Sequence, residues 1–199
     1  NGTDTDGDGI GDTDLPYNST GNIQSGGDFA PLTIQGTSTP ISSCTAISQP
    51  GTYTLAADLT STTTCITIAA DRVTLDCAGR SLTGPGCCAA YGIFSDTRTH
   101  LSIQRCDIRN FGTGIYLARV NDSNVSNNTI NSTVNGAGIG LETSHRNSAL
   151  DNRISNLNPN IGFLVGSTNN TARGNVLRTA INAGIIMQGE DNQVINNTF

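Results

Sequence analysis

Acidic residues at alternate positions are the clearest candidate chemistry in this sequence. Residues 4–14 read DTDGDGIGDTD and hold five of the sixteen acidic residues of the chain. Carboxylates two residues apart, with glycines that permit a sharp turn, are typical of a calcium loop, because Ca²⁺ prefers hard oxygen ligands. The sequence therefore predicts Ca²⁺ as a cofactor, with a solvated acidic tail as the alternative. The candidate ligands are Asp4, Asp6, Asp8, Ile10 through its carbonyl, Asp12, Asp14 and Asp28.

The net charge of −6 belongs to the N-terminal segment. Residues 1–28 contain six Asp and no base, whereas residues 29–199 contain ten acids and ten Arg. A neutral remainder without a basic patch argues against a nucleic-acid partner. No apolar run is long enough to span a membrane, and no signal peptide is visible, so we interpret the sequence as a mature or partial chain.

Cysteines and glycosylation sequons together indicate an oxidising, extracellular setting. The alternative is that sequence rich in Asn and Thr produces sequons by chance. The candidate disulfide residues are Cys44, Cys65, Cys77, Cys87, Cys88 and Cys106. The Asn-x-Ser/Thr sequons begin at Asn1, Asn18, Asn121, Asn124, Asn127, Asn131, Asn169 and Asn196.

A repeat of 22 or 24 residues organises the second half of the chain. Its units begin at Ile93, Ile115, Ile139, Phe163 and Ile185, and a glycine precedes each of these residues. A period in the low twenties is typical of a solenoid. A leucine-rich repeat has a similar period, but its Leu consensus and helical side are missing here.

Apolar residues recur in columns when the repeats are aligned. In the first strand of each unit, the columns are Ile93, Ile115, Ile139, Phe163, Ile185 and, two residues later, Ser95, Leu117, Leu141, Val165, Met187. The second stretch supplies Ile103, Val125, Ala149, Ala172, Val194 and then Ile108, Ile130, Ile154, Leu177, Phe199. Spacing by two places such residues on one strand face. The pattern predicts an all-β fold, a right-handed parallel β-helix with coils of about 22–24 residues.

A polar column lies two residues before the last apolar one. It reads Cys106, Asn128, Asn152, Asn175 and Asn197. Alternation directs these side chains inward, where stacked amides can satisfy one another along the solenoid axis. We interpret Asn128, Asn152, Asn175 and Asn197 as a structural ladder. The neighbouring sequon residues should then face outward.

The upstream sequence continues the columns less regularly. We therefore predict two parts, a calcium-binding junction at 1–40 and a parallel β-helix at 41–199. The cysteines surround the first coils, where a solenoid end needs capping. We favour a Cys44–Cys65 bond, with Cys77 and Cys106 near the adjacent Cys87 and Cys88.

The stretches ITIAADRVTLDCAGRSLTG, NVSNNTI and VINNTF resemble the parallel β-helix repeat proteins of archaeal cell surfaces. That group is related to carbohydrate-binding and sugar-hydrolase β-helix domains and to a periplasmic copper-protein maturation factor. The segment DTDGDGIGD resembles an EF-hand-like or thrombospondin type 3 calcium loop, although Leu15 stands where an EF-hand has a bidentate Glu. The resemblance specifies fold better than function.

Three functions fit these observations. We favour a non-catalytic structural subunit of a surface layer, sheath or filament, stacked head to tail or against neighbouring β-helix units through the calcium junction. The alternative is a glycan-binding adhesin that uses outward residues such as Tyr116, Phe94 and Arg119. A polysaccharide-degrading enzyme fits least, because polygalacturonase-like motifs are missing and His100 and His145 are isolated. A copper role is also unsupported, since Met187 and these two His make no copper set.

Overall fold

The computed structural model describes residues 38–87, 90–131, 136–155, 160–178 and 184–199. These residues form strands without any α-helix, and the strands build a parallel β-solenoid of about six turns. All of the strand pairs are parallel, and each coil pairs with the next. The right-handed parallel β-helix predicted from the repeat is confirmed.

Each full coil runs through three sheets in turn. Sheet A contains Thr39–Ile41, Gly51–Leu55, Val73–Asp76, Ser102–Gln104, Asn124–Ser126, Ser148–Leu150, Thr171–Arg173 and Gln193–Ile195. Sheet B contains Thr45–Ile47, Ile66–Ile68, Tyr91–Asp96, Thr113–Ala118, Ile139–Glu142, Ile161–Phe163 and Ile185–Met187. Sheet C contains Leu59–Thr60, Ser81–Thr83, Asp107–Arg109, Thr129–Asn131, Arg153–Ser155 and Val176–Arg178. The described solenoid extends over Thr39–Phe199.

The core is a set of stacked aliphatic columns between the three sheets. On sheet B, one inward column reads Ile66, Ile93, Ile115, Ile139, Ile161 and Ile185. Ile103 and Ile108, which lie on sheets A and C, are also buried. Because each strand exposes one face to solvent, a coil buries little apolar area alone and gains stability from its neighbours.

One coil has a different register from the predicted one. Ile161 pairs with Ile139, and Phe163 pairs with Leu141. Val165, which was expected in the core, is therefore 67% exposed. A slip of two residues keeps every side chain on its original face, so alternation alone does not reveal it. The length of the coils varies, so the start of this repeat cannot be read from a fixed period. Gly162, which was expected to precede the first strand of the coil, instead lies within it and pairs with Gly140.

The last described coil also departs from the predicted core. Val194 and Phe199 occupy the expected columns, but they are 39% and 74% exposed. Among the described residues, no further coil covers their outer edge. Leu177, one coil earlier in the Phe199 column, is 2% exposed because the next coil packs against it.

The Asn ladder forms as a continuous line of amide hydrogen bonds. Nδ2 of Asn128 donates to Oδ1 of Asn152 at 3.0 Å, and Asn152 donates to Asn175 at 3.0 Å. Asn175 donates in turn to Asn197 at 2.8 Å. Each Nδ2 also donates to a backbone carbonyl of the preceding coil, for example Asn152 to Val125 at 2.9 Å. These buried amides therefore have their hydrogen-bonding capacity filled.

A second Asn ladder runs along the corner between sheets B and A. Asn147 donates to Asn170 at 3.1 Å, and Asn170 donates to Asn192 at 3.0 Å. Ser123 begins this column, and its backbone N–H donates to Asn147. We did not predict this ladder from the sequence. Its members lie five residues before Asn152, Asn175 and Asn197, and that constant offset is a signal that could have revealed it.

Two disulfide bonds link successive coils near the N-terminal end of the solenoid. Cys44 is bonded to Cys65, the pairing that the sequence favoured. Cys77 is bonded to Cys106, so these two residues pair with each other and not with the adjacent cysteines. Cys106 precedes Asn128 in the ladder column, and its backbone N–H donates to Oδ1 of Asn128 at 2.9 Å. Cys87 is also disulfide-bonded.

Candidate functional site

An aromatic cluster lies on the outer face of sheet B. Strands Tyr91–Asp96 and Thr113–Ala118 alternate between core and solvent, so Ile93 and Ile115 point inward while Phe94 and Tyr116 point outward in register. Their rings and that of Tyr91 lie nearly parallel. Ring centroids are 5.3 Å apart for Tyr91–Phe94, 5.1 Å for Tyr91–Tyr116 and 6.2 Å for Phe94–Tyr116. We call Tyr91, Phe94 and Tyr116 the aromatic shelf.

A glycine allows the shelf to lie close to the sheet. Gly140 pairs with Tyr116 on the neighbouring strand. A Cβ at Gly140 would lie 3.0 Å from Cδ2 of Tyr116, which is tighter than ordinary van der Waals contact. The absence of a side chain therefore leaves room for the Tyr116 ring above the adjacent strand.

Polar groups border the aromatic shelf. The Tyr116 hydroxyl donates to the Glu142 carboxylate, and Arg119 forms an ion pair with Asp96. Asp96 and Glu142 both align with Ala118, so the two carboxylates lie at one edge of sheet B, two coils apart. Nε of Arg119 also donates to the Thr97 hydroxyl at 3.3 Å. An apolar ring surface thus lies next to donors and acceptors of both charges.

This arrangement suits a ligand that has both an apolar face and hydroxyl groups. A pyranose ring presents C–H groups on its faces and hydroxyls at its rim. Aromatic side chains offer a rigid apolar surface, and a few well-placed polar groups fix the orientation of a bound molecule. The hydrogen-bonded Tyr116 and Glu142 are, in addition, groups that can exchange a proton with a ligand.

A carboxyl group with a lowered pKa lies away from the aromatic shelf, on sheet A. Asp76 is 8% exposed, and burial opposes its ionisation. Hydrogen bonds from Arg105, from the backbone N–H of Ala78 and from Gln104 outweigh burial and hold the pKa of Asp76 below its usual value. The Arg105 and Gln104 contacts join two successive coils. This carboxylate stabilises the solenoid rather than taking part in the aromatic shelf.

We expect Asp76→Asn to make the free energy of unfolding less dependent on pH in the acidic range. Folding lowers the pKa of Asp76 from 3.8. The stabilising contribution of its carboxylate is therefore fully present above pH 3.8 and is lost as the pH falls through the lowered pKa of the folded state. At pH 7, loss of the charged hydrogen bonds should lower the free energy of unfolding by about 1–3 kcal/mol. Urea unfolding between pH 7 and pH 2 measures both effects.

Arg105→Met is the matched variant for this experiment. It removes the guanidinium but keeps the carboxylate and its other two donors. Its stability should therefore fall less steeply with acid than that of the wild type, and more steeply than that of Asp76→Asn. An unchanged pH profile in both variants would show that this carboxylate does not contribute to acid sensitivity.

The predicted calcium ligands, Asp4, Asp6, Asp8, Ile10, Asp12, Asp14 and Asp28, lie outside the described residues. Among the residues that the structure describes, no group of three or more His, Cys, Asp and Glu side chains could hold a metal ion. The structure also contains no described helix long and apolar enough to cross a membrane.

The described residues do not fit a copper site. Copper in proteins is held mainly by Cys, Met and His. The described cysteines are all disulfide-bonded. Nδ1 of His100 contacts the Thr99 hydroxyl at 3.0 Å, and Nδ1 of His145 contacts the Thr168 hydroxyl at 2.8 Å. The two His residues belong to different coils, and no described third ligand joins them.

The sequence model of one family, described as periplasmic copper-binding protein (NosD), matches residues 34–199. This chain belongs to the NosD family. The match covers the whole described solenoid and agrees with the extracytoplasmic setting that the cysteines and sequons predicted. It does not test the archaeal origin, the resemblance to a thrombospondin calcium loop or the proposed boundary at residue 40, which stay predictions.

The solved structures similar to this NosD-family chain include an alginate lyase that shares its fold, and no curated protein matches the chain. An alginate lyase from Paenibacillus sp. str. FPU-7 has a TM-score of 0.58 and 18% identity, over 75% of this chain and 60% of the lyase. A candidate glycosyl hydrolase from Parabacteroides merdae has a TM-score of 0.48 and 8% identity, over 76% of this chain and 78% of that one. The chain thus spans less than two thirds of the lyase.

Two predictions from the sequence are wrong. The family is named for copper and the described residues contain no calcium site, so the assignment of Ca²⁺ as the cofactor is overturned. The exclusion of catalysis is also overturned, because an alginate lyase shares this fold and the architecture therefore does not exclude an enzyme. The missing polygalacturonase-like motifs excluded one type of active site on this scaffold, not catalysis in general.

Proposed function

We propose that this NosD-family protein binds polysaccharide chains on the outer face of sheet B, at the aromatic shelf. The observation that carries the proposal is the group of three near-parallel rings bordered by the Tyr116–Glu142 and Asp96–Arg119 pairs. A sugar ring would stack on the aromatic surface while its hydroxyls exchange hydrogen bonds with these side chains. The β-helix supports this use because its rigid coils hold the three rings at fixed spacing.

Tyr116→Ala should weaken polysaccharide binding about tenfold to a hundredfold, since it removes one of the three rings and the hydroxyl that contacts Glu142. Isothermal titration calorimetry with alginate, polygalacturonate, xylan and mannan oligosaccharides measures the change. Tyr116→Phe keeps the ring and should weaken binding much less. Met187→Ala is a control, because Met187 is exposed on the same sheet, three coils away from Tyr116.

The folded state of each variant is checked by circular dichroism. Equal affinity of wild type and Tyr116→Ala would show that sugars do not bind at the shelf. If the wild type bound none of these polymers at millimolar concentration, the proposed function itself would be overturned.

Cleavage of the bound polysaccharide is a second candidate function at the same shelf. The hydrogen bond between Tyr116 and Glu142 favours it, because a phenol next to a carboxylate can take or give a proton during elimination or hydrolysis. Lyase action would release unsaturated products that absorb ultraviolet light, whereas hydrolysis would release reducing ends only. Tyr116→Phe should abolish either reaction while binding persists. Binding without any product from wild type would leave the protein a binding module.

The filament or surface-layer role is not supported by the comparisons. Head-to-tail association stays a prediction, and sedimentation of the full chain at increasing protein concentration measures it.

A further inference from the structure

Three sequons of the solenoid share one local structure. Each reads Asn-Asn-Thr, at 127–129, 169–171 and 196–198. The first Asn is exposed and has a positive φ, with values of 56° at Asn127, 55° at Asn169 and 50° at Asn196. The middle Asn is a rung of one of the two ladders and points inward. The sequon Asn and its Thr therefore both face outward at a corner of the solenoid.

Two other sequons are blocked by the fold. Oδ1 of Asn121 accepts a hydrogen bond from the backbone N–H of His145 at 2.9 Å. Its sequon partner, Ser123, is 5% exposed, and the Ser123 hydroxyl donates to the Asn121 carbonyl at 2.8 Å. In the next sequon, Oδ1 of Asn124 is buried and Ser126 is 7% exposed. A glycosyl donor would not reach these groups in the folded chain.

The fold itself does not require Asn and Thr at the accessible corners. The positions equivalent to Asn127 in other coils are Arg105, Asp151 and Gly174, all with a positive φ. The positions equivalent to Thr129 are Asp107, Arg153 and Val176. Charged and apolar residues thus satisfy the same backbone geometry. The joint presence of Asn and Thr at these corners calls for another explanation, and recognition as a sequon supplies one.

We propose that Asn127, Asn169 and Asn196 carry N-linked glycans in the secreted protein, whereas Asn121 and Asn124 do not. The modifying enzyme is an oligosaccharyltransferase of the extracytoplasmic side, which transfers an oligosaccharide from a lipid-linked diphosphate to Nδ2 of Asn. The C1–O bond of the donor sugar breaks, a C1–N bond forms and the lipid diphosphate leaves with the displaced electron pair. The amide nitrogen loses one proton, which the leaving diphosphate or solvent takes up.

Expression of the full chain in a host that modifies Asn-x-Ser/Thr tests this proposal. Peptides are released, deglycosylated in ¹⁸O water and mapped by mass spectrometry, which marks each modified Asn as labelled Asp. We expect label at residues 127, 169 and 196 and none at 121 and 124. Unmodified Asn127, Asn169 and Asn196 in folded, secreted protein, or equal label at Asn121 and Asn124, would overturn the proposal.

Threonine variants separate loss of the glycan from loss of the fold. Thr129→Val keeps both Asn residues and a β-branched side chain, so it should remove one glycan and leave the ladder intact. The gain-of-site variant combines Asp151→Asn with Arg153→Thr, which completes an Asn-Asn-Thr sequon around ladder residue Asn152. It should gain a glycan at position 151. Failure of this folded variant to gain one would show that corner geometry does not determine modification.

Discussion

Asn152→Ala is expected to lower the free energy of unfolding by about 3–5 kcal/mol, a large fraction of the stability of a domain. Oδ1 of Asn152 accepts from the backbone N–H and from Nδ2 of Asn128, both at 3.0 Å. Nδ2 of Asn152 donates to Val125 at 2.9 Å and to Asn175 at 3.0 Å. Alanine would leave these partners buried without a replacement, and each unsatisfied group costs about 1–3 kcal/mol.

The matched control for Asn152→Ala is Asn160→Ala, the same substitution one strand later in the chain. Asn160 is fully buried, yet neither its side-chain oxygen nor its side-chain nitrogen has a hydrogen-bond partner among the described residues. Asn160 lies in a column that holds glycine on the neighbouring coils. The backbone N–H of Ile139 donates to the Asn160 carbonyl, and the backbone N–H of Ile161 donates to the Gly184 carbonyl. Removing an unsatisfied amide should raise the free energy of unfolding by about 1 kcal/mol.

Urea and thermal unfolding of the two variants measure the difference, and hydrogen exchange shows which coils open first. Because solenoid coils interact mainly with their neighbours, the loss should be greatest in the coils next to Asn152. Equal stability of Asn152→Ala and Asn160→Ala would contradict a stabilising role for the ladder.

Gly114→Ala is expected to destabilise the solenoid by about 3 kcal/mol through overpacking. A Cβ at this position would lie 2.5 Å from Cγ2 of Ile130 and 2.6 Å from the carbonyl oxygen of Gly138. The carbonyl belongs to the neighbouring coil, so it moves only if the coils separate. Close-packed interiors have no free volume to absorb such a shift.

Gly79→Ala distinguishes this clash from backbone strain. Gly79 has φ +77°, but a Cβ there would meet nothing within 4 Å. Its cost should come from the left-handed conformation alone, about 1–2 kcal/mol. Thermal unfolding of both variants is the measurement. If Gly79→Ala lowered the stability more than Gly114→Ala, backbone conformation rather than the close approach of neighbouring coils would explain why glycine is needed at these positions.

Much of the solenoid follows from local pattern. The alternation of Ile115, Tyr116 and Leu117 assigns inward and outward faces correctly, because a strand turns its side chains by half a revolution per residue. The Asn column at 128, 152, 175 and 197 was also predictable, since a buried amide requires a polar neighbour and the repeat supplies one in each coil. Tyr116 and Phe94 were recognised as outward residues for the same reason.

Other features depend on how coils align. The register of Ile161 and Phe163 was not predictable from alternation, because a two-residue slip preserves the faces and coil length varies. The second ladder was not predicted, although each of its Asn residues lies five residues before a member of the first ladder. No local pattern indicated that Tyr91 would stack on Phe94 and Tyr116, because Tyr91 precedes the repeat column that contains the other two.

The solenoid, the faces of its strands and the first Asn ladder follow from the amino-acid pattern, because each depends on periodicity within one chain segment. The contacts between segments depend on the packing of one coil on another. These contacts assemble the aromatic shelf and make Asn127 accessible while blocking Asn121. They also give Asn152 its hydrogen-bond partners, whereas the Asn160 side chain has none among the described residues. Turn lengths set how one coil stacks on another, and this stacking determines which side chains have hydrogen-bond partners and which face solvent.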